Sequence, residues 1–288
     1  MRTNFLLAAA LACLAGAAAA QHEHHAAAPK GKSERPAMRA WTQQPLLIGK
    51  AARGERASAV LRPQNLAAAQ VTVFAAEGPA ERLKVDYPVG EEGAKIEAVT
   101  PKIGNYHWAV AREERDGEVR VASAVWYFGN PGASPKELLK AVRHELEIVP
   151  LPLPREHASY RESEKWRFLV RLNGQPLPGQ TLALETEFGS RSTFLTDAAG
   201  FATVLFPRDF KPAAAEEQAG HGPRRAAFVL STSKEADGRR YLTAFNHTYG
   251  QDGDRNKSLG WGAAFGLFGM AAAVPLLRRR NKGGNDHA

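Results

Sequence analysis

Residues 106–128 read YHWAVAREERDGEVRVASAVWYF, and their pattern decides the fold class. Two runs rich in apolar residues, Tyr106–Val110 and Val119–Phe128, flank Asp116-Gly117. That dipeptide tolerates the positive φ angles of a tight two-residue turn, so the stretch predicts a β-hairpin. Side chains alternate across a strand. Tyr106, Trp108 and Val110 therefore share one face, which should be buried. His107 falls on the other face and reads as a surface histidine rather than a ligand.

The same grammar of short apolar runs and turn residues extends in both directions. Upstream, Ala59–Leu61, Gln70–Phe74, Arg82–Tyr87 and Lys95–Val99 read as strands, and residues 41–132 are expected to form a β-sandwich-like domain. Downstream, Ser134-Pro135-Lys136-Glu137 has the form of a capping box with proline at the first helical position. It predicts a short helical linker over 133–144 carrying Leu138, Leu139 and Val142. The run Pro150-Leu151-Pro152-Leu153-Pro154 cannot continue a ladder. Beyond it, strands are expected at Trp166–Leu172, Thr181–Thr186, Ser192–Leu195, Phe201–Phe206, Ala227–Thr232 and Tyr241–Thr248. A long loop is expected over 211–225 and a turn at Asp237-Gly238. With a strand at Leu146–Val149, residues 145–250 read as a second small antiparallel sandwich. The expected class is all-β, with two Ig-like or prealbumin-like sandwiches and one C-terminal transmembrane helix.

Both ends carry membrane signals. Residues 1–20, MRTNFLLAAALACLAGAAAA, have a positive start, an apolar core and a small-residue cleavage site. They read as a signal peptide, with a lipoprotein variant at Cys13 as the alternative. Cys13 is the sole cysteine among 288 residues, so the processed chain would have neither disulfides nor a thiolate site. Residues 21–40 lack periodicity and read as a disordered, histidine-containing tether. Residues 259–277, LGWGAAFGLFGMAAAVPLL, are uncharged over about the length a bilayer needs. A polar spacer, 251–258, precedes them and the basic tail 278–288 follows. The positive-inside bias puts that tail in the cytoplasm. The expected location is the inner membrane, single-pass, with the bulk of the chain in the periplasm or extracytoplasmic space. The net charge of +8 is scattered, and its clearest cluster, Arg278, Arg279, Arg280 and Lys282, flanks the apolar stretch. Nucleic-acid binding is not expected from such a distribution.

The segment from Glu145-Leu146-Glu147-Ile148-Val149-Pro150 through Phe206 resembles the bacterial DUF4198 family, also described as the nickel-uptake substrate-specific transmembrane-region family. The resemblance is carried by Leu-Glu-Ile-Val-Pro, by Phe168-Leu-Val-Arg-Leu-Asn-Gly-Gln-Pro-Leu-Pro-Gly179 and by Thr196-Asp-Ala-Ala-Gly-Phe201. The matching positions form turns and strands, so no catalytic residue is carried over. The resemblance implies a periplasmic, membrane-anchored accessory of nickel or cobalt uptake, working beside a membrane transporter or envelope receptor.

The candidate ligands are His22, His24 and His25, because imidazole suits nickel, copper and zinc ions. Cleavage after Ala19 would put His22 third from a free amine, the arrangement for a square-planar Ni(II) or Cu(II) chelate. Cleavage after Ala20 would remove that chelate and leave His24 and His25. His144, His157, His221 and His247 stand isolated in sequence, and His144-Glu145 lacks the second histidine of a zinc-protease helix. Asp252-Gly253-Asp254 fails the calcium-loop pattern at its sixth and twelfth positions. No nucleophile elbow, phosphate loop or dinucleotide fingerprint occurs, and no enzymatic activity is expected. The leading expectation is a membrane-anchored accessory for transition-metal uptake. The alternative is a structural or protein-interaction module of the cell envelope with no metal role.

Overall fold

The computed structural model describes residues 40–52, 54–99, 106–129, 132, 134–154, 159–211, 224–252 and 259–280. They form mostly β-structure in three sheets. The first has three strands in the order β1-β2-β5: β1 (Leu46–Ala51), β2 (Ser58–Gln64) and β5 (Ala94–Glu97). The second and largest contains β3 (Gln70–Ala75), β4 (Lys84–Pro88), β6 (Tyr106–Arg115), β7 (Glu118–Tyr127), β9 (Tyr160–Arg161), β12 (Thr181–Thr186), β13 (Arg191–Leu195), β15 (Arg225–Ala236) and β16 (Arg239–Gly250). Its order is β13-β12-β15-β16-β7-β6-β3-β4, with β9 added beside β16. The third comprises β8 (Leu146–Pro150), β10 (Lys165–Leu172), β11 (Gln175–Pro176) and β14 (Phe201–Leu205), all paired to β10.

The Asp116-Gly117 hairpin forms as its residues dictate. Both turn residues have positive φ, 52° and 80°, and Tyr106 to Arg115 pairs without interruption against Tyr127 to Glu118. Its alternation then organises the layers. Tyr106, Trp108 and Val110 point to one face of the large sheet, where they meet Ile148, Phe168 and Val170 of the third sheet. Ala109 and Ala111 point to the other face, where they meet Leu47, Leu61 and Ile96 of the first sheet. The large sheet is thus the middle layer, covered on opposite faces by two smaller ones. His107 lies on the second face at 1% exposure, edge-on to Phe128 at 4.8 Å. It is a buried residue, not the surface histidine expected, because the first sheet covers this face.

The expected division into two sandwiches, 41–132 and 145–250, is likewise corrected. β7 from the first segment runs parallel to β16 from the second, with Glu118–Ser123 against Arg240–Phe245. One cluster of buried side chains runs from Tyr106 and Trp108 through Phe168 to Phe245. Residues 40 onward form a single unit by contacts. The expectation of purely antiparallel pairing fails at the same seam. Strand β1 had no counterpart in the sequence reading. The proposed capping box does not form: α1 (Lys136–Lys140) has Pro135 at its N-cap position with no side-chain cap, although Leu138 and Leu139 are buried as expected.

A second helix, α2, covers Leu259–Arg280. Its described side chains, those of residues 263–274, include the exposed Leu267 (64%), Phe268 (78%) and Met270 (63%). Among the described residues, no helix is long and apolar enough to cross a membrane. The leader 1–20, nearly all of the tether and the tail beyond Arg280 lie outside the described residues, as do 253–258 of the spacer and 212–223 of the long loop.

Candidate functional site

The metal ligands expected from sequence, His22, His24 and His25, lie outside the described residues, as do His157 and His221. Among the described residues, no group of three or more His, Cys, Asp or Glu is placed to hold a metal ion. Two histidines that stand alone in sequence acquire defined surroundings. His247 Nδ1 lies 2.8 Å from the Thr248 amide nitrogen and 3.1 Å from the Thr248 carbonyl oxygen. Burial lowers its pKa, and the neutral ring stands 5.3 Å from Tyr160.

His144 follows an arginine-rich hub that the linker and third sheet create together. Glu147, fully buried, lies between Arg143 Nε at 3.0 Å and Arg171 Nε at 2.7 Å. The Arg143 guanidinium sits 4.0 Å over the Trp108 ring. It donates from Nη1 to the Leu138 carbonyl, while Arg171 donates to the carbonyls of Lys140 (2.9 Å) and Ala141. The two guanidinium groups therefore cap the end of α1 and tie the linker to β8 and β10. Two cations share one carboxylate here, so one positive charge is left over. Arg143 Nη2 is buried with no hydrogen-bond partner. Burial pushes the Arg143 pKa down to about 10, which leaves it charged at neutral pH.

The hub sets the chemistry of its neighbour. Burial, and then the charges of Arg143, Arg112 and Arg171, push the His144 pKa down to about 3. Ser123 Oγ lies 3.4 Å from His144 Nε2. A serine–histidine pair needs a base that titrates near the working pH, and this imidazole does not. The pair is a long, partly buried polar contact.

Beside the hub opens a cavity of about 540 Å³. Its floor carries Thr72 and Phe74 of β3 and Val110 and Arg112 of β6. Its walls are Lys84 of β4, linker residues Val142 to Glu145, and Asn173 from the turn between β10 and β11. It exists because the third sheet stops short of β3 and β4. Arg112 contacts both Glu145 oxygens, at 2.7 and 3.1 Å, and Glu114 at 3.0 Å. The turn residues Asn173 and Gly174 have φ of 49° and 82°. A Cβ on Gly174 would come 3.0 Å from Val142 Cγ2, so this turn shapes the cavity wall.

A second cleft, of about 450 Å³, lies where β7 and β16 part company beyond Ser123 and Phe245. Tyr106, Trp126, Tyr127 and His247 line it, with Arg225 among its polar residues. At its edge the Asn246 side chain replaces a ladder rung: Oδ1 accepts the Leu47 N–H (2.8 Å) and Nδ2 donates to the Leu47 carbonyl (3.0 Å).

Neither site was legible beforehand. Arg143, Glu147 and Arg171 occupy ordinary polar positions in sequence, and Asn173 reads as turn chemistry alone. The sole local hint is Arg143 four residues before Glu147.

Comparison of the chain with protein-family models and with curated proteins finds no match. Among solved structures it aligns with one described as giving structural insight into host cell surface retention of a 1.5-MDa bacterial ice-binding adhesin. The identity is 12% and the TM-score 0.23, over 73% of this chain and 65% of that one. It also aligns with the D0–D1 domain of intimin at 12% identity and a TM-score of 0.24, over 67% of this chain and 88% of that one. Superpositions of that quality carry no argument about function. The class of the molecule, an all-β protein of layered sheets, rests on its own strand pairing.

Proposed function

We propose that this chain is a membrane-anchored binding protein of the cell envelope, with its β-layers held outside the cytoplasm. The observation that carries the reading is the exposure of large apolar side chains along α2. Phe268 at 78%, Leu267 at 64% and Met270 at 63% have too much apolar area in contact with water for a helix that stands alone. The stretch 259–277 within this helix carries no charged residue. The arginines at its end and the leader-like residues 1–20 support the same orientation. The layered β-fold supplies two clefts and a rigid frame for them.

Cell fractionation with alkaline extraction tests this reading. The chain is expected in the inner-membrane fraction, resistant to extraction, with residues 1–20 removed and the β-layers open to protease added from the periplasmic side. Full-length chain free in the cytosol with its leader intact overturns it.

A metal-uptake role, with nickel, cobalt or copper ions handed to a membrane transporter or envelope receptor, rests on His22, His24 and His25. The processed protein is expected to bind Ni(II) and Cu(II) more tightly than its His22/His24/His25→Ala variant. Equal affinities leave the envelope interaction module as the better reading.

A further inference from the structure

We propose that the cavity beside the arginine hub is a binding site for a small organic carboxylate. The inference rests on the binding-protein reading and names its ligand class.

Two cationic side chains reach the cavity, Lys84 and Arg112, against the single carboxylate of Glu145, while Arg143 borders it with its side chain wholly buried. That carboxylate is already held by Arg112 at 2.7 Å. Of the neighbouring acids, Glu114 is held by Arg239 at 2.6 Å and by Arg112 at 3.0 Å, while Asp86 accepts only the neutral Thr72 hydroxyl, at 2.6 Å, and keeps its charge. Behind the wall, Arg143 and Arg171 share Glu147, and the wholly buried Arg143 side chain keeps Nη2 without a partner. A charge left uncompensated in a medium of low polarity is felt over a longer range than one in water. A concave site walled by protein focuses that field. The cavity is therefore set for one negative charge.

The rest of the lining selects what carries the charge. Phe74 and Val110 form an apolar floor, and Val142, 55% exposed, forms an apolar lip. Such surface suits a hydrocarbon tail and gives nothing to a compact, fully hydrated inorganic anion. The volume, about 540 Å³, falls within the range of small-molecule sites.

Calorimetric titration of the detergent-solubilised full chain tests this, with hexanoate as the probe and hexanol and inorganic phosphate as comparisons. Hexanoate is expected to bind about tenfold more tightly than either comparison. Raising salt from about 50 to about 500 mM should weaken it. Lys84→Glu and Val142→Asp change exposed positions, so the fold is kept. Each should weaken hexanoate by about fivefold or more with the thermal midpoint unchanged. Absence of hexanoate binding, equal binding of hexanol or of phosphate, or indifference to both substitutions overturns the proposal. The titration does not depend on where the chain resides, so its failure and failure of the fractionation experiment are separate outcomes.

Discussion

The two faces of the central sheet are built from different materials. Toward the third sheet the core is aromatic: Trp108, Tyr160, Phe168, Phe206, Phe228, Phe245 and Tyr249 are all under 2% exposed. Tyr160 alone has ring neighbours at 4.9 to 5.3 Å in Trp166, Phe206, Phe228 and His247. Toward the first sheet the core is small: Ala109, Ala111, Ala122 and Ala124 face Ala59, Ala94, Leu47, Leu61 and Ile96. Large rings fill a wide gap and resist removal. A row of alanines lets a second sheet lie close and resists enlargement. The same strands, β6 and β7, serve both faces, so each face constrains the other through one backbone.

The asymmetry yields opposite mutational signatures. Phe168→Ala, on the aromatic face, should cost about 4 kcal/mol, through lost burial and the void left behind. The check is the urea midpoint, and a loss comparable to that of an exposed residue would mean the rings are not the core. Glu147→Gln, at the rim of the same face, leaves Arg143 and Arg171 buried without their shared counter-charge. The expected loss is about 3 kcal/mol by the same measurement. On the small face the direction reverses. Ala122→Leu should destabilise by about 2 kcal/mol through overpacking, whereas Ala122→Gly should cost less than that.

The pH dependence separates the faces more finely. His144 titrates at about 3 in the folded chain and near 6.5 when unfolded. The unfolded chain therefore binds a proton that the folded chain refuses. Stability is complete above about pH 6.5 and falls toward pH 3 at about 1.4 kcal/mol per pH unit for this group. His144→Asn should flatten that slope in acid-denaturation curves, and an unchanged slope would mean that other groups dominate.

The central hairpin was legible because its information is local. Asp116-Gly117 sets the turn, and the alternation of Tyr106, Trp108 and Val110 sets the buried face. Likewise Asn173-Gly174 marked the β10–β11 turn. What stayed hidden was non-local. Parallel pairing of β7 with β16 joins residues more than a hundred positions apart and leaves no trace in either segment. A proline-rich boundary at Pro150–Pro154 suggested a division that the sheet crosses elsewhere. Glu147 alternates with Leu146 and Ile148 as an outward residue should, and only the returning linker buries it. His107 was misread for the same reason, since a covering sheet announces itself nowhere in the strand it covers. The cavity beside the arginine hub combines β3, β4, β6, the linker and a turn, and no window of sequence contains them together.

The seam between β7 and β16 also has a temporal meaning. β16, a middle strand of the largest sheet, begins at Arg239 and is made long after its neighbour β7. Until it emerges from the ribosome, β7 has no neighbour on one side and β15 has no hairpin partner. A nascent chain of this design cannot close its sheet early.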